Sequence, residues 1–327
     1  MPSLPDARGT LSEAVIGALG CEPGGTASLA PCGAVRNSDP YGDDLHLALY
    51  LCYELHYRGF DGVEDAWEWD PELLRLRAAL ERAFLSALRG DVPVHPDVAS
   101  ALRDVLVEPA DGEGVSHFLR DGGTVQHLRE YVALRSLYQL KEADPHAWAI
   151  PRLTGRAKAG LVAVEYDEFG AGRADRIHAG LFAAAMSELG LDPAYGRYLE
   201  AATAHTLAVV NLMSLLGLHR SLRGALAGHF AAVEITSSPS SRRLVQAIDR
   251  LGAGPAARHF YAEHVEADAV HEQLVRHEVI GGLQADDPGL THDIAFGIDA
   301  TVWLEDRLAG HILGAWSDGG SAVRRPL

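Results

Sequence analysis

HFYAEHVEADAVHEQLVRHEVIGG, residues 259–282, holds the pattern from which the fold and the chemistry are read outward. At about 100° per residue around an α-helix, Asp268 sits roughly 40° from His264, and His271 roughly 20° on the other side, so all three share one narrow stripe. Two imidazoles and a carboxylate on one helical face form a ligand set for a metal, and the mixture suits iron, which tolerates both donor types and a change of oxidation state. Any one of these histidines alone reads more simply as a partner of Glu263, Glu266 or Glu272 on a solvated helix. The i, i+4, i+7 triplet is what favours the metal.

A dinuclear site needs further carboxylates from other helices to bridge and balance two divalent ions. Two upstream segments offer them. LYQLKEADPHAWAIPRL, residues 137–153, places Glu142 near the end of an apolar helix expected over 123–143. AVEYDEFGAGRADRIHAGLF, residues 163–182, supplies Glu165, Asp167, Glu168, Asp175 and His178. In one straight helix Glu168 and His178 would stand about 15 Å apart along the axis, too far for one cluster. Gly170 and Gly172 interrupt that helix and let the chain turn. Glu142 can equally pair with Lys141 or Arg135. Glu165 rivals Glu168 from one turn away, and Asp175 competes as the i, i+3 partner of His178.

Elsewhere the chain reads as helix after helix. DDLHLALYLCYELHYRGF, residues 43–60, puts Leu45, Leu49, Tyr53 and His56 on one face and ends at Gly59. Further helices are expected at about 70–90, 96–107, 155–169, 174–189, 193–216, 218–233, 240–251, 256–283 and 291–315. Alternating runs bounded by hairpin dipeptides are almost absent, so the fold class is all-α. Residues 1–42, rich in Gly, Pro and Ser, are expected to form a mostly irregular lead-in, and residues 43–95 to add helices to the body. Residues 96–315 form the main bundle and residues 316–327 a frayed tail. TSSPSS at 236–241 reads as a linker or a helix start.

Of 327 residues, 28 are Lys or Arg and 45 Asp or Glu, a net charge of -17 with no basic cluster. That balance argues against nucleic acid as a partner. Cys21, Cys32 and Cys52 form no C-x-x-C pair, which fits a reducing cytoplasm. No apolar run approaches the roughly 20 residues that cross a bilayer, so no membrane partner is expected.

On Glu142, on Glu168 with His178, and on His264-x3-Asp268-x2-His271, the chain resembles the haem-oxygenase-like diiron oxidases and oxygenases. That group shows a lone Glu, then a Glu and a His, then a late His-x3-Asp-x2-His. The resemblance covers about residues 96–315. It implies an up-and-down helical bundle of the haem oxygenase type without haem, holding two Fe that cycle between Fe2+ and Fe3+, with O2 as co-substrate. The implied ligands are Glu142, Glu168, His178, His264, Asp268 and His271. It further implies a small-molecule substrate, an external electron donor and a homodimer. Members N-oxygenate amines and guanidines, cleave amino acids oxidatively, or desaturate fatty acids with decarboxylation. Three His and three carboxylates resemble the N-oxygenases most.

Competing readings have less support. A ferritin-like di-iron protein would carry Glu-x-x-His on two helices, and the chain has none. A true haem oxygenase would use an early proximal histidine, His46 or His56, and leave the late triplet idle. A helical iron-storage protein is the non-enzymatic alternative. Nucleophile-elbow, phosphate-loop and zincin signatures are absent. His205, His219 and His229 read as core or capping residues, and residues 205–234 as a wall of the substrate cavity. YELHYRGF, residues 53–60, is expected over the site entrance or at a dimer contact, and Arg120, Arg129 or Arg152 as partner of a substrate carboxylate.

Overall fold

The computed structural model, which describes residues 1–24, 32–108 and 112–327, holds helices and turns and, among those residues, no strand. In chain order the helices are α1 (Thr10–Leu19), α2 (Cys32–Arg36), α3 (Asp43–Glu54), α4 (Pro71–Asp91), α5 (Val98–Leu106), α6 (Val115–Asp121), α7 (Val125–Gln139) and α8 (Asp144–Ala147). They continue as α9 (Gly155–Glu168), α10 (His178–Glu188), α11 (Ala204–Leu218), α12 (Arg223–Leu251), α13 (Pro255–Leu274), α14 (Gly281–Asp286) and α15 (Thr291–Ser317). A stretch of π-helix, Val275–Ile280, joins α13 to α14. The all-α reading therefore holds.

Local chemistry sets several boundaries. Asp70 caps α4 by accepting from the backbone of Glu72 and Leu73, with Pro71 in the first turn, where its missing N–H costs nothing. Thr124 and His127 satisfy each other's backbone N–H at the start of α7.

α12 is the axis of the bundle and packs along both α13 and α15. Two glycines permit the second contact. A Cβ on Gly228 would lie 2.0 Å from the Ile294 carbonyl oxygen, and one on Gly297 would lie 1.9 Å from that of Ala225, so the two backbones touch. α10 lies on α13, and α9 crosses the π-helical stretch, which brings the segments around Glu168 and His178 against the His264 stripe.

The lead-in carries a packed helix, α1, which buries Leu11, Val15, Ala18 and Leu19 and whose first turn is capped by Asp44, accepting from Leu11 N at 2.9 Å and Ser12 N at 2.8 Å. Three expectations are corrected. The tail is docked: Glu130 accepts from Trp316 Nε1 (2.9 Å), Ser321 Oγ (2.8 Å) and Ala322 N (2.9 Å). The 218–233 and 240–251 helices are one, α12, which runs through Pro239. Burial of Ile235, Ser241, Leu244 and Ile248 on both sides outweighs the one backbone hydrogen bond that proline removes. The helix expected from 193 begins at Ala204, because Asp192 and Tyr198 close a turn around Gly196, whose φ is +71°.

Candidate metal centre

Each candidate donor stands at the end of an element or on one face of a helix. Glu142 lies in the turn between α7 and α8, because α7 ends at Gln139 instead of reaching the expected 143. Glu168 is the last residue of α9 and His178 the first of α10. Between them Gly170 and Gly172 adopt φ of +79° and +81°, and a Cβ at 170 would lie 2.3 Å from the Arg173 carbonyl oxygen. Position 170 has no room for a side chain, and the reversal brings Glu168 to His178. His264, Asp268 and His271 share the inward face of α13.

All six residues are buried, and they fall into two groups. The first joins Glu142, Glu168, His178 and His264; the second joins Glu168, Glu234, Asp268 and His271. Within each group one donor atom per residue lies within 4.8 Å of all the others. Glu168 belongs to both groups, and would be shared if each held a cation. Its Oε2 is 2.7 Å from His178 Nδ1, and its Oε1 is 3.5 Å from His271 Nδ1.

Glu234, on α12, is the member that reading the sequence missed; its Oε2 lies 3.0 Å from His271 Nδ1. A signal was available. Within α12 the only acidic residues are Glu234 and Asp249, and Glu234 stands in the apolar run AAVEI. Of the rivals, Asp175 is exposed and paired with Arg173 at 2.9 Å. Glu165 is buried but falls outside both groups.

The donor atoms fit cations better than they fit one another. Glu142 Oε2, Glu168 Oε2, His178 Nδ1, His264 Nε2 and Asp268 Oδ2 are buried and have no hydrogen-bond partner, even where they are close. A buried polar atom left unpaired costs about 1–3 kcal/mol, so five in one place call for a common partner. His264 Nδ1 donates to the Phe260 carbonyl at 2.8 Å, so Nε2, which faces Glu142 at 3.7 Å, is the atom that would ligate a cation on giving up its proton. His271 Nε2 meets Asp167 at 3.3 Å while Nδ1 faces the acidic group. Four carboxylates (Glu142, Glu168, Glu234 and Asp268) balance the charge of two divalent ions.

Proton affinities express the same crowding. Burial alone would lower His264, but Glu142, Asp268 and Glu168 outweigh it and push the imidazole up to about 10. His271, buried beside Asp268, Glu234 and Glu168, is pushed up to about 11. Burial raises Glu142, and burial with the charge of Glu168 and Glu234 pushes Glu165 up to about 9. Burial would raise Glu168 too, but His178, His264 and His271 outweigh it and hold the carboxyl down.

A cavity of about 300 Å³ reaches Glu142. Tyr131, Tyr138 and Tyr261 line its buried part, and Glu108 and His117 line it at the surface. Five acidic residues line it (Glu108, Glu113, Glu142, Glu305 and Asp306) against two arginines, Arg135 and Arg243. Both arginines are already paired, Arg135 with Glu305 at 2.8 Å and Arg243 with Glu108 at 2.6 Å. Ala232 and Val233 of α12 contribute to the wall, whereas α11 contributes nothing to it.

Arg120, Arg129 and Arg152 lie outside the cavity, bound to Asp121, the Gly190 carbonyl and the Leu218 carbonyl. His46 is buried against Asn211 and Phe84, and burial lowers it to about 3. His56 sits between Glu68 and Arg77. His229 is core, as expected; His219 meets Glu81, and His205 stacks on His311.

This arrangement of buried imidazoles and carboxylates in an all-helical bundle is compatible with iron binding. The sequence model of the iron-containing redox enzymes matches residues 129–306, more than half of the chain, and the chain belongs to that family. Among curated proteins no significant match was found. Among the described residues no helix is long and apolar enough to cross a membrane.

Proposed function

We propose that this chain is a non-haem diiron oxygenase that transfers oxygen to a nitrogen of a small amine, guanidine or aminoimidazole. The observation that carries the reading is the pair of donor groups sharing Glu168, with an acidic cavity ending on Glu142. Four carboxylates converging with three imidazoles suit iron ions; a haem would ask for one axial ligand and a flat apolar slot.

Two iron ions, when bound, supply electrons and a site for O2. The protein's own residues do the rest. Asp306, beside the Arg135-paired Glu305, attracts the substrate's cationic group, and the tyrosine walls exclude water around it. Oxygen transfer uses the nitrogen lone pair, so the reacting nitrogen must lose a proton. Asp306, which burial and Glu305 hold above the usual carboxylate range, is placed to take it. In balance, an amine, O2, two electrons and two protons give a hydroxylamine and water, with the electrons from an external donor.

Desaturation of a fatty acid is less well supported, because five acidic residues line the cavity. The test is turnover of anaerobically iron-loaded protein with O2, a reductant and a panel of amines, guanidines, aminoimidazoles and fatty acids, read by mass spectrometry with heavy-isotope O2. An N-oxygenated product carrying the label supports the proposal. A desaturated or cleaved product, or iron accumulation beyond two per chain without product, overturns it.

A further inference from the structure

Glu142 is the one proposed ligand that no helix holds. It stands in the turn after α7 ends at Gln139 and before α8 begins at Asp144. Its neighbour Lys141 is buried, with the side chain 1% exposed. Lys141 Nζ donates to Glu54 Oε2 at 3.0 Å and lies 4.2 Å from the ring centre of Tyr57 and 5.0 Å from that of Tyr50. The Tyr195 hydroxyl donates to the same Glu54 oxygen at 2.9 Å. Arg58 lies 4.2 Å over the Tyr195 ring and donates to the Leu140 carbonyl at 3.3 Å. Glu54, Tyr57 and Arg58 belong to YELHYRGF, which therefore grips the turn from inside instead of covering an entrance.

An apolar pair of similar volume would stabilise a buried contact as well as or better than an ion pair does. A charged pair, unlike an apolar one, fixes distance and direction. We propose that the Glu54–Lys141 pair, completed by Tyr195, is a positioning device that holds Glu142 at the cavity end of the metal centre. Glu54 precedes residue 129, where the family match begins. This chain thus uses residues before the family match to set a donor within it. The inference rests on the two-cation reading of the centre.

The experiment titrates the full-length apo protein with Co(II) and follows the two binding steps by visible absorption. Glu142→Ala identifies which step belongs to Glu142. The double variant Glu54→Gln/Lys141→Met, which leaves no buried charge unpaired, should weaken that step alone by roughly 10–100-fold, the range for groups that orient a ligand. Tyr195→Phe, a milder change, should weaken the same step several-fold. In the Glu142→Ala background the double variant should leave the remaining step unchanged, because the clamp then has nothing to position. If the double variant does not fold, Tyr195→Phe decides. Unchanged affinity for both cations, or equal weakening of both, overturns the inference. Wild-type protein that binds no cation tightly overturns the two-cation reading itself.

Discussion

His271 Nδ1 lies 3.0 Å from Glu234 Oε2, although the two residues stand 37 positions apart on different helices. The contact makes α12 a contributor to the second donor group, which would otherwise have two carboxylates and one imidazole. Glu234→Ala should abolish one of two Fe(II) binding steps while the step involving Glu142 survives. Its loss of affinity should exceed the roughly 10–100-fold typical of groups behind a ligand. Anaerobic equilibrium dialysis measures both steps.

How far the site was legible in the sequence depends on the distance over which each signal acts. His264, Asp268 and His271 lie within two turns of one helix, so periodicity alone places them together. The Glu168–His178 approach was legible because Gly170 and Gly172 mark the turn. Glu234 was hidden for the opposite reason: its partners come from α9 and α13, and no local spacing announces them. The cap of α1 by Asp44 and the docking of the tail on Glu130 are long-range in the same way. Pro239 misled because tertiary packing along α12 outweighs a local helix breaker.

In the cavity, Asp306 makes no ion pair among the described residues, whereas Glu305 is committed to Arg135. Asp306→Asn should raise KM for a cationic substrate by roughly 10–100-fold, the equivalent of about 1.5–3 kcal/mol for a charged hydrogen bond, and should lower kcat as well, because the amide cannot take the proton. The effect should shrink for a neutral analogue. Steady-state kinetics with both substrates checks this.

The α12–α15 contact sets the stability of the bundle. A methyl group at Gly297 would lie 1.9 Å from the Ala225 carbonyl oxygen, and both partners are backbone. Gly297→Ala should destabilise the protein by about 1–3 kcal/mol or more, the usual cost of overpacking. Urea denaturation should show the loss as a lower midpoint.

Glu130 gives the tail a pH dependence. Burial would raise its carboxyl, but bonds from Trp316, Ala322 and Ser321 outweigh it and hold the group below its usual range. Its folded value lies below the unfolded one, so its stabilisation is present above the unfolded value of about 4.3 and is lost as pH falls through the folded value. Glu130→Gln should loosen the tail at neutral pH. Carboxypeptidase digestion should cleave the variant faster than wild type, with the difference closing as the assay is acidified.

The most direct test of the two-cation centre is an anaerobic Fe(II) titration of the purified apo protein, with bound iron counted by Mössbauer spectroscopy. The account predicts saturation at two irons per chain, and at no more than one in His264→Ala and in Asp268→Ala, each of which removes a donor from one group. Saturation of the wild-type protein at a single iron, or wild-type iron content in either variant, would contradict it.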